Sequence, residues 1–118
     1  MEISQRQAGD VTILDLNGRL ILDEGFEPLR QALNRLIGEG QRKLLLNLED
    51  VTFLDSAGLG LIAGKYVTLR RHNGELKLCN LRARTAEVLN ITRLLTIFEP
   101  FDNEEEALRS FAISSSVP

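Results

Sequence analysis

The chain has 118 residues, is 43% hydrophobic and 26% charged, and carries a formal net charge of −3 at pH 7. This length predicts one domain with a real core, and the acidic balance argues against a nucleic-acid-binding protein that relies on basic patches. The single cysteine, Cys79, excludes an internal disulfide and a zinc site, and its place in a predicted strand favours a small buried core residue. No stretch is apolar for long enough to span a bilayer and no signal-peptide pattern is present, so we expect a cytoplasmic protein without membrane insertion.

The first third of the chain predicts a β-hairpin followed by a helix. Residues 2–8 and 11–17 have strand patterns, and Asn17-Gly18 is typical of a turn after the second strand. Residues 26–38 predict an amphipathic helix, because their apolar side chains recur at helical spacing. The apolar face of this helix is formed by Leu29, Leu33, Leu36 and Ile37.

The middle of the chain predicts a buried strand and a long helix. Lys43 to Leu48 (KLLLNL) is rich in leucine, which is typical of a central parallel strand, and we expect a buried strand to end at Leu54. Apolar residues recur at helical spacing between Ser56 and His72, and Asn73-Gly74 is typical of a helix C-cap.

The last third predicts two more strands and two more helices. Leu76 to Leu81 and Thr96 to Phe101 have strand patterns. Thr85 is suited to cap a short helix between them, and Asp102 and Glu105 have the spacing of a capping box for a final helix.

This element order predicts an α/β fold. Strands and helices alternate after the first hairpin, which is typical of a mainly parallel sheet with crossover helices. We expect a single domain over residues 1–112 with a mixed, mainly parallel five-stranded sheet and about four helices. Residues 113–118, rich in serine, are predicted to be a disordered tail.

The chain lacks the residue patterns of a catalytic site, and we expect no enzyme activity, metal or cofactor. His72 follows two arginines at a helix end and has no nearby Ser or Cys with which to form a nucleophile–base pair. Ser56 lacks the G-x-S-x-G frame of a nucleophile elbow. The stretch Gly58-Leu59-Gly60 is not followed by the G-K-[ST] of a phosphate-binding loop.

The junction between the buried strand and the long helix is the most informative part of the chain. Ser56 lies at a predicted helix start, where free backbone N–H groups and the helix dipole favour an anion. One interpretation is an N-cap, worth about 1 kcal/mol. The other is a phosphorylation site, since Asp55 can fill the capping role and small neighbours leave the hydroxyl open to another protein's active site. We expect Ser56 to be exposed, with the N–H groups of Gly58 and Leu59 directed toward its hydroxyl.

Two glycines inside the predicted helix, Gly60 and Gly64, also have two interpretations. Each costs roughly 1 kcal/mol of helix stability relative to alanine. Close packing of the helix on the sheet would explain them, and so would a surface that must stay open for a partner.

The junction and its flanks resemble the signature of the STAS domain of bacterial anti-sigma factor antagonists. The stretch Asn47–Gly60, which contains Asp55-Ser56-Ala57-Gly58-Leu59-Gly60, carries the resemblance. Leu16–Leu20 and Gly74–Leu81 support it, and the likeness spans almost the whole chain.

The resemblance implies a partner-switching regulator. Unphosphorylated members of this family bind an anti-sigma factor, which is also a serine kinase of the GHKL ATPase type, and so free a sigma factor. The kinase phosphorylates the serine after the aspartate, which is Ser56 here, and a metal-dependent serine phosphatase removes the phosphate. Ala57 stands where many members have a second hydroxyl, so Ser56 is the only hydroxyl of the motif.

One position departs from the family pattern. Many members have an aspartate three residues after the glycine of the second-strand turn, where this chain has Ile21. Whether Asp23, slightly later in the loop, replaces that aspartate is open. We expect the partner to cover this loop and the start of the helix. The predicted contact residues are Ile21, Asp23, Glu24, Asp55, Ser56, Ala57, Gly58, Leu59 and Gly60.

Two alternative functions remain from the sequence. STAS domains also serve as non-switching subunits of ABC-type lipid-transport complexes and in stress-sensing assemblies, which neighbouring transporter genes would favour. A helix N-terminus also suits a small molecule or nucleotide, which retention of nucleotide in the purified protein would favour. We expect no direct contact with nucleic acid, and the oligomeric state stays open.

Overall fold

Four strands and three helices make up the described part of the protein, in a computed structural model that describes residues 1–82, 98 and 100–116, with the side chains of the last helix as far as Phe111. The strands are β1 (Glu2–Ala8), β2 (Val11–Leu20), β3 (Lys43–Leu54) and β4 (Glu75–Cys79). The helices are α1 (Phe26–Gly38), α2 (Ser56–Arg71) and α3 (Glu104–Ser116).

The strands form one mixed sheet in the order β1-β2-β3-β4. β1 runs antiparallel to β2, whereas β2 and β3 are parallel and so are β3 and β4. Parallel neighbours need crossover connections, and α1 and α2 supply them. The predicted α/β class, with an antiparallel first strand and parallel later ones, is confirmed.

The sheet is buried on both faces over its central strands. One face packs against α1 and α2 around the larger core, which includes Leu44 and Leu46. The opposite face packs against α3 through a smaller core that includes Leu45. All three leucines are fully buried, as the leucine-rich run of β3 predicts. The buried residues of the smaller core are Val11, Ile13, Leu45, Cys79, Ala107 and Phe111.

β2 continues through Asn17-Gly18, where the sequence predicted a turn. The register with β3 shifts between Asp15 and Asn17 and again after Gly18, so the chain forms an irregular, bulged ladder there. Gly18 has a φ of +124°, a conformation that favours glycine. The turn prediction is wrong because bulges and turns use the same residue types. As a result β2 reaches Leu20, opposite Leu54 of β3.

Two predicted elements after β4 lie largely outside the described residues. They are the short helix beginning near Thr85 and most of the strand Thr96–Phe101. Phe98 is helical, so the strand prediction is wrong at that residue. The prediction of five strands and four helices therefore corresponds to four strands and three helices over the residues that the structure describes.

The chain returns to the sheet beside β4 at Phe101. This residue forms one parallel bridge with Cys79, and its N–H donates to the carbonyl of Leu78 at 3.0 Å. Pro100, the residue before Phe101, has no N–H to donate to a neighbouring strand.

The cap of α3 lies one residue after the predicted one, and the helix extends beyond residue 112. Asn103, not Asp102, caps the helix, and its Oδ1 accepts from the N–H of Glu106 at 2.8 Å. The helix continues through Ser116, into the segment for which the sequence predicted a disordered tail. Phe111 is buried against the sheet, and extending a helix from an anchored turn costs less than starting one.

Five polar side chains, Arg6, Asp15, Asn47, Asn80 and Glu104, join the sheet to the start of α3, and we call them the polar cluster. Arg6 donates to both oxygens of Asp15, at 2.5 and 2.8 Å, and pairs with Glu104. Asn47 donates to Asp15 at 2.8 Å, and Asn80 donates to Asn47 at 2.9 Å. The hydrogen bond from the Arg6 guanidinium lowers the pKa of the Asp15 carboxyl. The sequence did not predict this cluster.

Candidate functional site

The carboxyl ends of β2 and β3 lie side by side and carry the candidate site, with Leu20 opposite Leu54. α2 begins at Ser56, only one residue after β3 ends. Asp55 fills that single position in an extended conformation, and its N–H donates to the carbonyl of Leu20 at 3.3 Å. This short link fixes the start of α2 against the end of the sheet.

The Asp55 side chain holds two parts of the chain at once. Oδ1 accepts from the N–H of Gly58 at 2.8 Å, which caps α2. Oδ2 accepts from the N–H of Leu22 at 3.0 Å, which ties the 21–25 loop (between β2 and α1) to the helix start. The capping role that the sequence left open between serine and aspartate therefore belongs to Asp55.

Ser56 is exposed at the first position of α2, as predicted. Its hydroxyl makes no hydrogen bond to any of the residues that the structure describes, so it serves no capping function. The expectation that Gly58 and Leu59 direct their N–H groups toward this hydroxyl is wrong. Both groups are already used by Asp55: Gly58 donates to its side chain, and Leu59 donates to its carbonyl at 3.0 Å.

The predicted contact residues divide by burial. Asp23, Ser56 and Gly60 are exposed, whereas Ile21, Glu24, Asp55 and Ala57 are half-buried. Gly58 and Leu59 are buried, and their assignment as contact residues stays a prediction. Both contribute to packing, and Leu59 lies in the larger core.

The glycines of α2 serve different purposes. A Cβ on Gly58 would lie 2.4 Å from the carbonyl oxygen of Leu20, so only glycine allows α2 to approach β2 this closely. A Cβ on Gly60 or Gly64 would meet nothing within 4 Å. Close packing therefore explains Gly58 but not Gly60 or Gly64. These two glycines leave the exposed face of the helix without side-chain bulk.

The 21–25 loop is held by its own backbone and by one ion pair. The carbonyl of Ile21 accepts from the N–H of Glu24 at 3.1 Å. Arg19 donates from Nε to Glu24 at 3.1 Å, and this hydrogen bond lowers the pKa of the Glu24 carboxyl. Asp23 is exposed and forms no ion pair within the described part of the chain. Arg19 therefore compensates the charge of Glu24, whereas that of Asp23 is uncompensated.

A comparison with known protein families gives a match over most of the chain. The STAS domain family matches residues 2–107, which include all of the site. The chain belongs to the STAS domain family. The family assignment that the Asp55-Ser56 motif predicted is thereby confirmed.

Named relatives of this STAS domain are anti-sigma factor antagonists. The anti-sigma F factor antagonist of Paenibacillus polymyxa is 28% identical over 116 residues, which cover 98% of each chain. An anti-sigma factor antagonist of Mycobacterium paratuberculosis has a TM-score of 0.81 at 22% identity, over 92% of each chain. Bacillus SpoIIAA in its phosphorylated form has a TM-score of 0.73 at 23% identity, over 93% of this chain and 99% of that one. The two structural likenesses show the fold.

This STAS domain exposes two large apolar side chains at the site end of the sheet, which the sequence did not single out. The side chain of Leu22 in the loop is 60% exposed, and that of Phe53 near the end of β3 is 47% exposed. Strand side chains alternate between faces, so Phe53 and Leu54 cannot both point into the core. The adjacent apolar pair Phe53-Leu54 was the available signal, and Leu54 is the buried member.

Three further observations on this STAS domain concern metal ligands, the single cysteine and membrane-spanning helices. Over the described ranges, no three or more His, Cys, Asp or Glu side chains group so that they could hold a metal ion. Cys79 is buried, as predicted, and burial raises its pKa to about 12, which disfavours the reactive thiolate. None of the helices over those ranges is long and apolar enough to cross a membrane.

Proposed function

We propose that this STAS domain is an anti-sigma factor antagonist that is switched by phosphorylation of Ser56. In its unphosphorylated form it binds an anti-sigma factor that is also a GHKL-type serine kinase, and so frees a sigma factor for transcription. The observation that carries the proposal is the exposed Ser56 hydroxyl. It is not needed to cap α2, because the Asp55 side chain caps the helix.

The proposed modification is a transfer of the γ-phosphoryl group of ATP, bound by the kinase, to Oγ of Ser56. The Oγ–P bond forms as the bond to the bridging oxygen of ADP breaks, and the hydroxyl proton passes to a base of the kinase. A serine phosphatase reverses the state by hydrolysis. The exposed Ser56, with open space at Gly60, leaves room for both enzymes.

The phosphate would act through charge at this surface. Phosphoserine adds about −1.5 to −2 charges at neutral pH. The N-terminus of α2 stabilises such a charge by roughly 0.3–1 kcal/mol, so the fold survives. Asp55 and the uncompensated Asp23 add negative charge nearby, and a partner fitted to a neutral hydroxyl meets both bulk and repulsion. Release of the partner then requires no large conformational change.

The name of one relative supports the proposal, and so do the two phosphorylation forms in which another is known. The Paenibacillus polymyxa relative, which aligns along nearly the full chain, is an anti-sigma F factor antagonist. SpoIIAA, which shares the fold, is known in both an unphosphorylated and a phosphorylated form.

Intact mass spectrometry tests the modification. The protein is incubated with ATP and a purified GHKL-type anti-sigma factor kinase, and we expect a mass increase of one phosphate group. Ser56→Ala should show no increase. Ser4→Ala is the matched control, since Ser4 is an exposed serine on β1, and it should be phosphorylated like the wild type. Phosphorylation of Ser56→Ala would place the acceptor elsewhere.

Calorimetry with the same kinase tests the switch. Ser56→Ala should bind like the unphosphorylated wild type, and Ser56→Asp should stay folded but bind at least about tenfold more weakly, because it places a charge at the contact. Equal affinity of wild type, Ser56→Ala and Ser56→Asp would contradict switching and favour a non-switching STAS subunit.

A bulky substitution tests the location of the interface. Gly60→Trp should abolish binding while the fold is kept, because the added side chain points into open space. Gly38→Trp is the matched control, since Gly38 is also exposed with open space but lies at the far end of α1. Unchanged affinity of Gly60→Trp would place the interface on another face.

A further inference from the structure

Exposed large apolar side chains are rare on this molecule and are concentrated at one end. Over the described ranges they are Leu22, Phe53 and Val67, with 60%, 47% and 47% of their surface exposed. The backbone N–H of Leu22 is 3.0 Å from the Asp55 carboxylate, and Phe53 precedes Asp55 by two residues, about 7 Å along an extended strand. Two of the three therefore lie at the end of the sheet where α2 begins.

The backbone holds both side chains in this exposed arrangement. The hydrogen bond from the Leu22 N–H to the Asp55 carboxylate holds the backbone of Leu22 within the 21–25 loop. The pairing of Phe53 with Arg19 of β2 fixes the end of β3, and the strand alternation that buries Leu54 turns Phe53 outward. The exposure therefore follows from the way in which hydrogen bonding and strand pairing hold the backbone at these two positions.

The surroundings of the two side chains are acidic. Asp23 is exposed in the 21–25 loop, and Glu49 and Asp50 are exposed in the middle of β3. Arg19, opposite Phe53, pairs with Glu24, and Arg82 approaches Asp50 with an N–O distance of 3.9 Å. These six groups together carry a net negative charge. A protein surface that matches this end of the molecule would combine an apolar centre with basic groups around it.

We infer that Leu22 and Phe53 are the apolar anchors through which this STAS domain binds its partner, and that the partner presents an apolar socket with a basic rim. The inference rests on the proposed function, because the occupant is the anti-sigma factor kinase. Apolar anchors at the centre of an interface carry most of its binding energy, whereas charged rim residues set the rate of association and its dependence on salt.

Calorimetry with the purified GHKL-type kinase, loaded with ADP, tests the inference. Leu22→Ser and Phe53→Ser should each weaken binding about tenfold or more. Val67→Ser is the matched control, as it removes an equally exposed apolar side chain from the second half of α2, and its affinity should stay within about twofold of the wild type. Circular dichroism and urea unfolding show whether each variant is folded. Raised salt should slow association of the wild type.

The outcomes separate the inference from the function on which it rests. If the wild type binds and is phosphorylated but either anchor variant keeps its affinity, the inference is wrong and the proposed function stands. If the wild type is neither bound nor phosphorylated, both fail. If sedimentation shows a wild-type dimer that Leu22→Ser dissociates, the anchors face a second copy of this chain and the inference is likewise overturned.

Discussion

At the scale of single residues, the candidate site depends on the two oxygens of Asp55. One oxygen caps α2 at Gly58 and the other holds Leu22 of the loop. Asparagine caps helices about as well as aspartate but offers only one acceptor oxygen. Asp55→Asn should therefore keep the cap and lose the bond to the loop, at a cost of about 0.5–1.5 kcal/mol in the free energy of unfolding.

Hydrogen exchange measured by NMR distinguishes the two contacts. In Asp55→Asn the amide of Leu22 should exchange faster while that of Gly58 stays protected. In Asp55→Ala both amides should lose protection, with a further loss of about 1 kcal/mol in stability. Retained protection of Leu22 in Asp55→Asn would mean that the loop is held without this bond.

The site could be predicted from sequence as a set of residues but not as a geometry. The order Asp55-Ser56 predicts a capping acid and an exposed hydroxyl, and the structure has both. The hydrogen-bond acceptors of the Gly58 and Leu59 N–H groups could not be predicted, since either Asp55 or Ser56 could accept these hydrogen bonds. The anchor Leu22 was missed because nothing local in the sequence shows that its N–H is held by a residue 33 positions away.

At the scale of elements, the glycines of α2 offer a direct comparison. Gly58→Ala places a Cβ against the Leu20 carbonyl and should lower the free energy of unfolding by about 1–3 kcal/mol. Gly64→Ala, four helical residues beyond Gly60 and in open space, should raise it by about 0.5–1 kcal/mol, because alanine restricts the unfolded chain. Urea denaturation measures both, and equal effects of the two substitutions would contradict the packing described for Gly58.

The polar cluster predicts a pH dependence. The folded-state pKa of Asp15 lies below its unfolded value of about 3.9, so the folded protein binds this proton less tightly. The resulting stability is present above that value and is lost as the pH falls toward the lowered pKa. Arg6→Met removes the cause, and should cost roughly 0.5–1 kcal/mol at neutral pH and make the acid decline shallower.

Urea unfolding of the wild type and Arg6→Met at neutral pH and at about pH 3.5 gives the free energies of unfolding that check this expectation. Arg71→Met is the matched control, since Arg71 is exposed and forms no ion pair in the part of the chain that the structure describes. It should leave the slope of stability against pH unchanged. A slope for Arg6→Met equal to that of the wild type would show that the pairing does not act on Asp15.

Element types were predictable where a pattern had one physical cause. The run Lys43–Leu48 could only be a strand covered on both faces, and α2 has the predicted bounds to within a residue. Asn17-Gly18 has two outcomes, turn or bulge, and pairing with β3 selected the bulge. Asn103 and Asp102 are equally good caps by type, so the residue type alone could not decide between them.

At the scale of the whole molecule, Cys79 reports on global unfolding. Its side chain is fully buried in the smaller core and its pKa is about 12. A thiol-specific reagent should therefore leave the native protein unmodified and react as urea unfolds it, along the same curve as the circular dichroism signal. Reaction of the thiol well before the loss of helix signal would show that α3 detaches on its own.

The sheet divides the interior into two compartments, and only the larger one supports the candidate site. Substitutions beneath α3 are separated from the site by a layer of paired strands, and effects at separated positions add nearly independently. Such a protein can gain or lose thermal tolerance through one compartment while its choice of partner stays constant. The residues beneath α3 could therefore differ among related chains from different environments while the partner that these chains bind stays the same.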